Sequence, residues 1–165
     1  MNKTILSIVA VVLVFGALVW FAQPDDRDTV ASVSATYNNS LAVEEGSTYD
    51  FGTISMAAGT VSHLFKLKNR DTEPVTIHKI YTSCMCTTAA LSVGGKQFGP
   101  YGMPGHSAIP RVDQALGPNE EATVEVVFDP AAHGPAGVGR IARSITIEQS
   151  AGRPIELTFS AVVTP

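Results

Sequence analysis

The sequence predicts an all-β domain held to a membrane by one N-terminal helix, and three observations carry that prediction. Thr4–Ala22, TILSIVAVVLVFGALVWFA, holds no charged residue and is about as long as a helix must be to cross the hydrocarbon core. From Tyr49 onward, short runs alternate apolar and polar residues between turn-forming clusters, which is the period of strands rather than of helices. The roughly 140 residues after the span suit one ordinary domain with a single core.

Residues 1–3 precede the span and place Lys3 on its amino side, while QPDDRD follows it. The positive-inside bias then puts the amino end in the cytoplasm and everything after residue 22 outside. Cleavage after Ala22 would set bulky Trp20 where a small residue is wanted, which favours an uncleaved signal anchor at 4–22 over a removed signal peptide. Residues 23–47 are polar and small with little alternation, and read as a flexible tether with one short strand near its end.

Residues 48–165 carry the strand pattern. YDFGTI opens it; Val61, His63, Phe65 and Leu67 then share one parity before the turn NRDTEP. PVTIHKIYT is the third strand, and a further one is expected within Thr87 to Leu116. Val124, Val126 and Phe128 alternate with Thr123 and Glu125, and Ile141, Ile145 and Ile147 repeat the device before the turn SAGRP. The closing run PIELTFSAVV buries Ile155, Leu157, Phe159, Ala161 and Val163. About seven short strands with frequent turns fit an immunoglobulin-like antiparallel β-sandwich, in which two sheets bury their inner faces against each other. The far-spaced cysteine pair of antibody domains is absent and the sole tryptophan, Trp20, lies in the span. Packing alone must hold this core.

The segments YDFGTI, HLFKLKN, EPVTIHKIYTSCMCTTA and VEVVFDPAAHGPAGVGRIARSITIE resemble the bacterial family known as domain of unknown function 1573. The resemblance covers about Ser47 to Val163, and its most specific part is the cysteine segment. Family members typically read Ser-Cys-Gly-Cys-Thr there, whereas Met85 stands in the glycine's place here. A long glycine-rich excursion, SVGGKQFGPYGMPGHSAIPRVDQ, also precedes Glu120. The resemblance implies an extracytoplasmic immunoglobulin-like module and supplies no activity.

Composition and motifs exclude several functions. A net charge of −4 and a pI near 5.5 leave no basic stripe for phosphates, so nucleic acid is not an expected partner. No GxSxG, Walker loop or HExxH is present, and Asp50 and Asp129 adjoin strand ends where turn formation accounts for them. The protein is not expected to be an enzyme.

The chemistry-bearing residues concentrate elsewhere. In a sandwich of alternating strands, the connections after the first, third and fifth strands meet at one pole. Those connections hold Met56, then Cys84, Met85, Cys86, Met103 and His106, then His133. Taken singly, each has an ordinary structural explanation: Met56 and Met103 can pack, His63 can sit hydrogen-bonded in the core, and HGPAGVG can be only a turn. Together they form a candidate soft-metal site of Cys84 and Cys86, completed by His133, His106 or Met103. On extended chain two thiols two residues apart project to one face. Thiolate and thioether ligands favour Cu(I); Zn(II) is the lesser alternative, for which Cys84, Cys86, His106 and His133 would make a Cys₂His₂ tetrahedron, in a spacing that matches no known finger. The alternative is an interaction or scaffold module that docks on another envelope protein, its Cys84–Cys86 pair structural or closed in a labile disulfide that an oxidising compartment permits. Under either reading the membrane is a partner, through the N-terminal helix; the docking alternative adds an envelope protein.

Overall fold

The computed structural model describes residues 40–106 and 108–165; the span expected at 4–22 and residues 23–39 of the tether lie outside them. No helix among the described residues is long and apolar enough to cross a membrane. Ten strands follow in chain order: β1 Leu41–Val43, β2 Thr48–Ser55, β3 Val61–Asn69, β4 Val75–Thr82, β5 Thr87–Val93, β6 Lys96–Tyr101, β7 Gln114–Leu116, β8 Glu121–Phe128, β9 Gly139–Gln149 and β10 Ile155–Thr164. They form two five-stranded sheets, ordered β1-β3-β8-β5-β6 and β2-β10-β9-β4-β7.

The alternation in the sequence explains the layering. Along β8, Ala122, Val124, Val126 and Phe128 are buried while the residues between them are not. Along β10, Ile155, Leu157, Phe159, Ala161 and Val163 are all buried, as the pattern requires. Because successive strand side chains point to opposite faces, each sheet offers one apolar face, and the two meet in a single core. Full burial of each Leu, Ile, Val or Phe contributes about 1.5–3 kcal/mol. The edges are short or polar, which blunts pairing with other chains.

Two expectations need correction. The strands number ten among the described residues rather than about seven, because β1, β6 and β7 are short or polar edge strands without alternation. The sheets are also not wholly antiparallel: β2 pairs parallel with β10, Tyr49 opposite Phe159 and Ile54 opposite Val163. The cause is that β2 and β3 lie in different sheets, so their connection crosses the sandwich instead of closing a hairpin. Strands β2 and β10 therefore run toward the same pole. The tether's expected strand is β1, whose Leu41 is buried, so residues 40–47 take part in the sandwich.

At the opposite end from β3's start, Asn69 joins the two sheets. Its side chain is 0% exposed, and its Nδ2 donates to the carbonyls of Glu73, Leu116 and Gly117 at 2.9, 3.0 and 3.1 Å. Its Oδ1 accepts the Asp71 amide at 2.9 Å. β3 belongs to one sheet and β7, which ends at Leu116, to the other. An Asn69→Ala change strands these groups, and a buried polar group left unpaired costs about 1–3 kcal/mol. Denaturant unfolding of the full chain should therefore show a loss of about 2–3 kcal/mol; a loss below about 0.5 kcal/mol would contradict this role for Asn69.

Candidate metal and thiol site

Strand β4 lies in one sheet and β5 in the other, so Ser83–Cys86 is the crossing between them. The crossing is a turn: the Thr87 amide donates to the Cys84 carbonyl at 3.2 Å. This corrects the expectation of an extended chain. Two residues of extended strand span about 6.6 Å, whereas the Cα atoms of Cys84 and Cys86 are 5.3 Å apart. The thiols still converge, through the turn rather than through strand parity. Their sulfurs are joined as a disulfide. Met85 points outward and is 51% exposed, and its backbone avoids the left-handed region, so no glycine is required at that position.

Hydrogen bonds hold the crossing from both sides. Thr82, fully buried, bridges with its hydroxyl to the carbonyls of Cys84 and Thr87, each at 3.0 Å. The Ser83 amide donates to the Ser144 carbonyl at 2.9 Å, and the Ser144 amide donates back to Ser83 Oγ at 2.9 Å. The Asp129 amide donates to the Cys86 carbonyl at 2.9 Å. Thus β9 and the end of β8 both fix the cysteine turn.

His133 arrives from the connection between β8 and β9. Asp129 Oδ1 accepts the Ala131 amide at 2.8 Å, the turn-forming role expected of it, and the Gly134 amide donates to the Ala131 carbonyl at 2.9 Å. Gly134 takes φ +56°, and a Cβ on Gly137 would stand 3.3 Å from His133 Cβ. The glycines let the chain fold back beneath the imidazole. As a result, His133 Nε2 lies 3.2 Å from Cys84 Sγ. The two sulfurs and an imidazole nitrogen of His133 all lie within 4.8 Å of one another.

Met103 and His106 line the same open cleft of about 380 Å³, with Ser83, Cys84, Met85, His133, Ala142 and Arg143. His106 is not part of the close set of ligand atoms, so four Cys₂His₂ ligands are not gathered. Met56 packs against the core and His63 stacks on Tyr49 with ring centroids 3.6 Å apart; neither joins the cluster. Burial holds the His63 imidazole below its ordinary range, as suits a ring packed among aromatics.

Arg143 was not singled out in the sequence, yet its Nε donates to Cys86 Sγ at 3.5 Å. It shares parity with Ile141 and Ile145 on β9. A charged residue among inward-facing isoleucines was the available signal.

The segment bearing Met103 and His106 is tied to β4 at both ends. The Thr82 amide donates to the Gly102 carbonyl at 3.1 Å and the Val112 amide to the His78 carbonyl at 2.8 Å. Beside the second tie, Arg111 donates to both Asp113 oxygens at 2.7 and 2.8 Å, and His78 Nδ1 lies 2.8 Å from Asp113 Oδ1.

Residues 42–94 match the family described as "Protein of unknown function (DUF1573)", so the family resemblance holds over that stretch. It includes both cysteines and stops short of His133. A comparison with curated proteins finds no match. Among solved structures, a protein of unknown function from Porphyromonas gingivalis W83 is similar at 15% identity with a TM-score of 0.52, over 74% of this chain and 46% of that one. The secreted serine protease VesC from Vibrio cholerae is similar at 10% identity with a TM-score of 0.50, over 79% of this chain and 25% of that one. The ASH / PapD-like domain of human CEP192 shares 15% identity with a TM-score of 0.47, over 76% of this chain and 85% of that one. This chain spans less than half of the first two, and at such identities the likeness extends to the fold alone.

The Arg111 hydrogen bonds, with His78 next, hold the Asp113 carboxyl down from 3.8 to about 2. A depressed carboxyl stabilises the fold above its unfolded value and loses that contribution as pH falls through its folded value. The window therefore runs from about pH 4 down to about 2. An NMR titration should place the Asp113 midpoint near 2 and move it toward 3.8 in Arg111→Gln; a midpoint near 3.8 in the parent would contradict the ion cluster.

Proposed function

We propose that this chain, whose residues 42–94 match the DUF1573 family, is a non-catalytic immunoglobulin-like module, displayed outside the cytoplasm from an uncleaved N-terminal anchor. Its reduced Cys84–Cys86 pair binds a soft metal ion, Cu(I), together with His133. The observation that carries the reading is the approach of two sulfurs and one imidazole nitrogen to within 4.8 Å, held by residues from both sheets. Reduced thiolates are soft ligands, and imidazole is compatible with them on copper. Three near ligands favour Cu(I), which accepts low coordination numbers, over Zn(II), whose structural sites are almost always four-coordinate. Met103, which lines the same cleft, is the candidate to add a thioether.

A second reading rests on a separate observation, the closed disulfide between Cys84 and Cys86. Under it the domain is an envelope scaffold that docks through its sheet surface, where Leu64 on β3 is 53% exposed, and the cysteines are dispensable for docking.

Titration of the reduced full-length chain with Cu(I) and Zn(II) against competing chelators separates the two. The metal reading expects stoichiometric, submicromolar Cu(I) binding that disappears in the Cys84→Ser/Cys86→Ser double variant. His133→Ala should weaken it by at least about tenfold, since even groups behind a ligand contribute that much. Equal weak binding by parent and double variant would contradict it. The anchored location expects the intact chain to stay with membranes after carbonate extraction, and a soluble form beginning near Gln23 would overturn that location.

A further inference from the structure

The surroundings of Cys84 and Cys86 differ. Cys84 lines the open cleft, beside Met85, Met103 and His106. Cys86 does not line it and is only 3% exposed, against 8% for Cys84. Next to Cys86 Sγ stand Arg143 Nε at 3.5 Å, from a residue that also borders the cleft, and Thr87 Oγ1 at 3.7 Å, and Thr87 is itself fully buried. Thiol–disulfide exchange needs a thiolate to reach one sulfur while the other leaves as a thiolate, and a stabilised leaving thiolate departs faster. Charge-assisted hydrogen bonds supply such stabilisation.

We propose that the Cys84–Cys86 disulfide is opened from one side only, by a dithiol reductant that enters the cleft and attacks Cys84 Sγ, with Cys86 leaving toward Arg143. The attacking thiol gives its proton to solvent and forms a mixed disulfide with Cys84. The sulfur–sulfur bond of the pair breaks, and its electrons stay on Cys86 as a thiolate beside the guanidinium. The reductant's second thiolate then attacks its own sulfur in the mixed disulfide and expels Cys84 as a thiolate next to His133. Two electrons have passed, the partner dithiol has become a disulfide, and both cysteines are free. The partner is thus a protein dithiol whose active sulfur fits a cleft bordered by methionines. The inference rests on the proposed function in one respect, that the reduced pair is the metal-binding form; reduction then switches the site on and oxidation switches it off.

The direction of opening is testable without a variant. The oxidised full-length chain is exposed briefly to glutathione, quenched in acid, capped with N-ethylmaleimide and sequenced by tandem mass spectrometry. Glutathione should be found on Cys84 and the maleimide on Cys86, in at least tenfold excess over the reverse arrangement. Equal labelling, or glutathione mainly on Cys86, would overturn the proposal. In a second arm, reduction by dithiothreitol should be about three- to tenfold slower in Arg143→Gln, partly restored in Arg143→Lys and unchanged in Arg111→Gln. An unchanged rate in Arg143→Gln would remove Arg143 from the step. Cu(I) titration of the same reduced samples keeps the two readings apart. Cys84-directed labelling without metal binding refutes only the metal reading, whereas metal binding with Cys86-directed labelling refutes only the one-sided opening.

Discussion

The crossing from one sheet to the other between Thr82 and Thr87 is the constraint on which the rest of the site depends. A chain leaving β4 must change layers within four residues, and a turn of that length brings its own side chains together. The buried Thr82 hydroxyl reaches the carbonyls of both Cys84 and Thr87, adding to the Thr87 amide bond that closes the turn. Ser83 and Ser144 lock one flank to β9, and the Asp129 amide locks the other to the end of β8. Because β8 leads directly to His133, the bond that fixes Cys86 also sets where the imidazole chain departs. The same few hydrogen bonds hold the crossing and position the site.

Under the proposed function, the disulfide and the metal-binding form are two states of one pair of sulfurs. Closed, the sulfurs share a bond and have no thiolate to offer an ion; open, they are soft donors facing an imidazole nitrogen. The two sulfurs have different neighbours: His133 Nε2 lies 3.2 Å from Cys84 Sγ, and Arg143 Nε 3.5 Å from Cys86 Sγ.

Much of the fold was legible because burial and period coincide. The strands β3, β8 and β10 alternate cleanly, and their inward residues are those the sequence marks. The weaker strands hid for physical reasons. β5, TTAALSV, is buried along most of its length, and its neighbour β6 carries an extra residue between Phe98 and Tyr101, so neither alternates cleanly. The pair Gly94-Gly95, both with positive φ, closes a two-residue hairpin between Val93 and Lys96, a turn chemistry that a glycine-rich stretch conceals. At the site, counting strands brought Cys84, Cys86, Met103, His106 and His133 to one pole because Thr87 to Leu116 holds three strands, an odd number. Counting does not resolve ångströms, so it did not separate His133, which reaches the sulfurs, from His106, which does not join them. Arg143 and Asn69 occupy inward parities on β9 and β3. A polar residue on the apolar face of a strand marks a place where the core makes a specific bond.

The central claim is that Cys84, Cys86 and His133 act as one ligand set. X-ray absorption at the copper edge of the reduced, Cu(I)-loaded full-length chain tests it most directly. Two sulfurs and one nitrogen should surround the copper, with the nitrogen lost and both sulfurs kept in His133→Ala. Coordination without sulfur, or coordination that His133→Ala leaves unchanged, would contradict it.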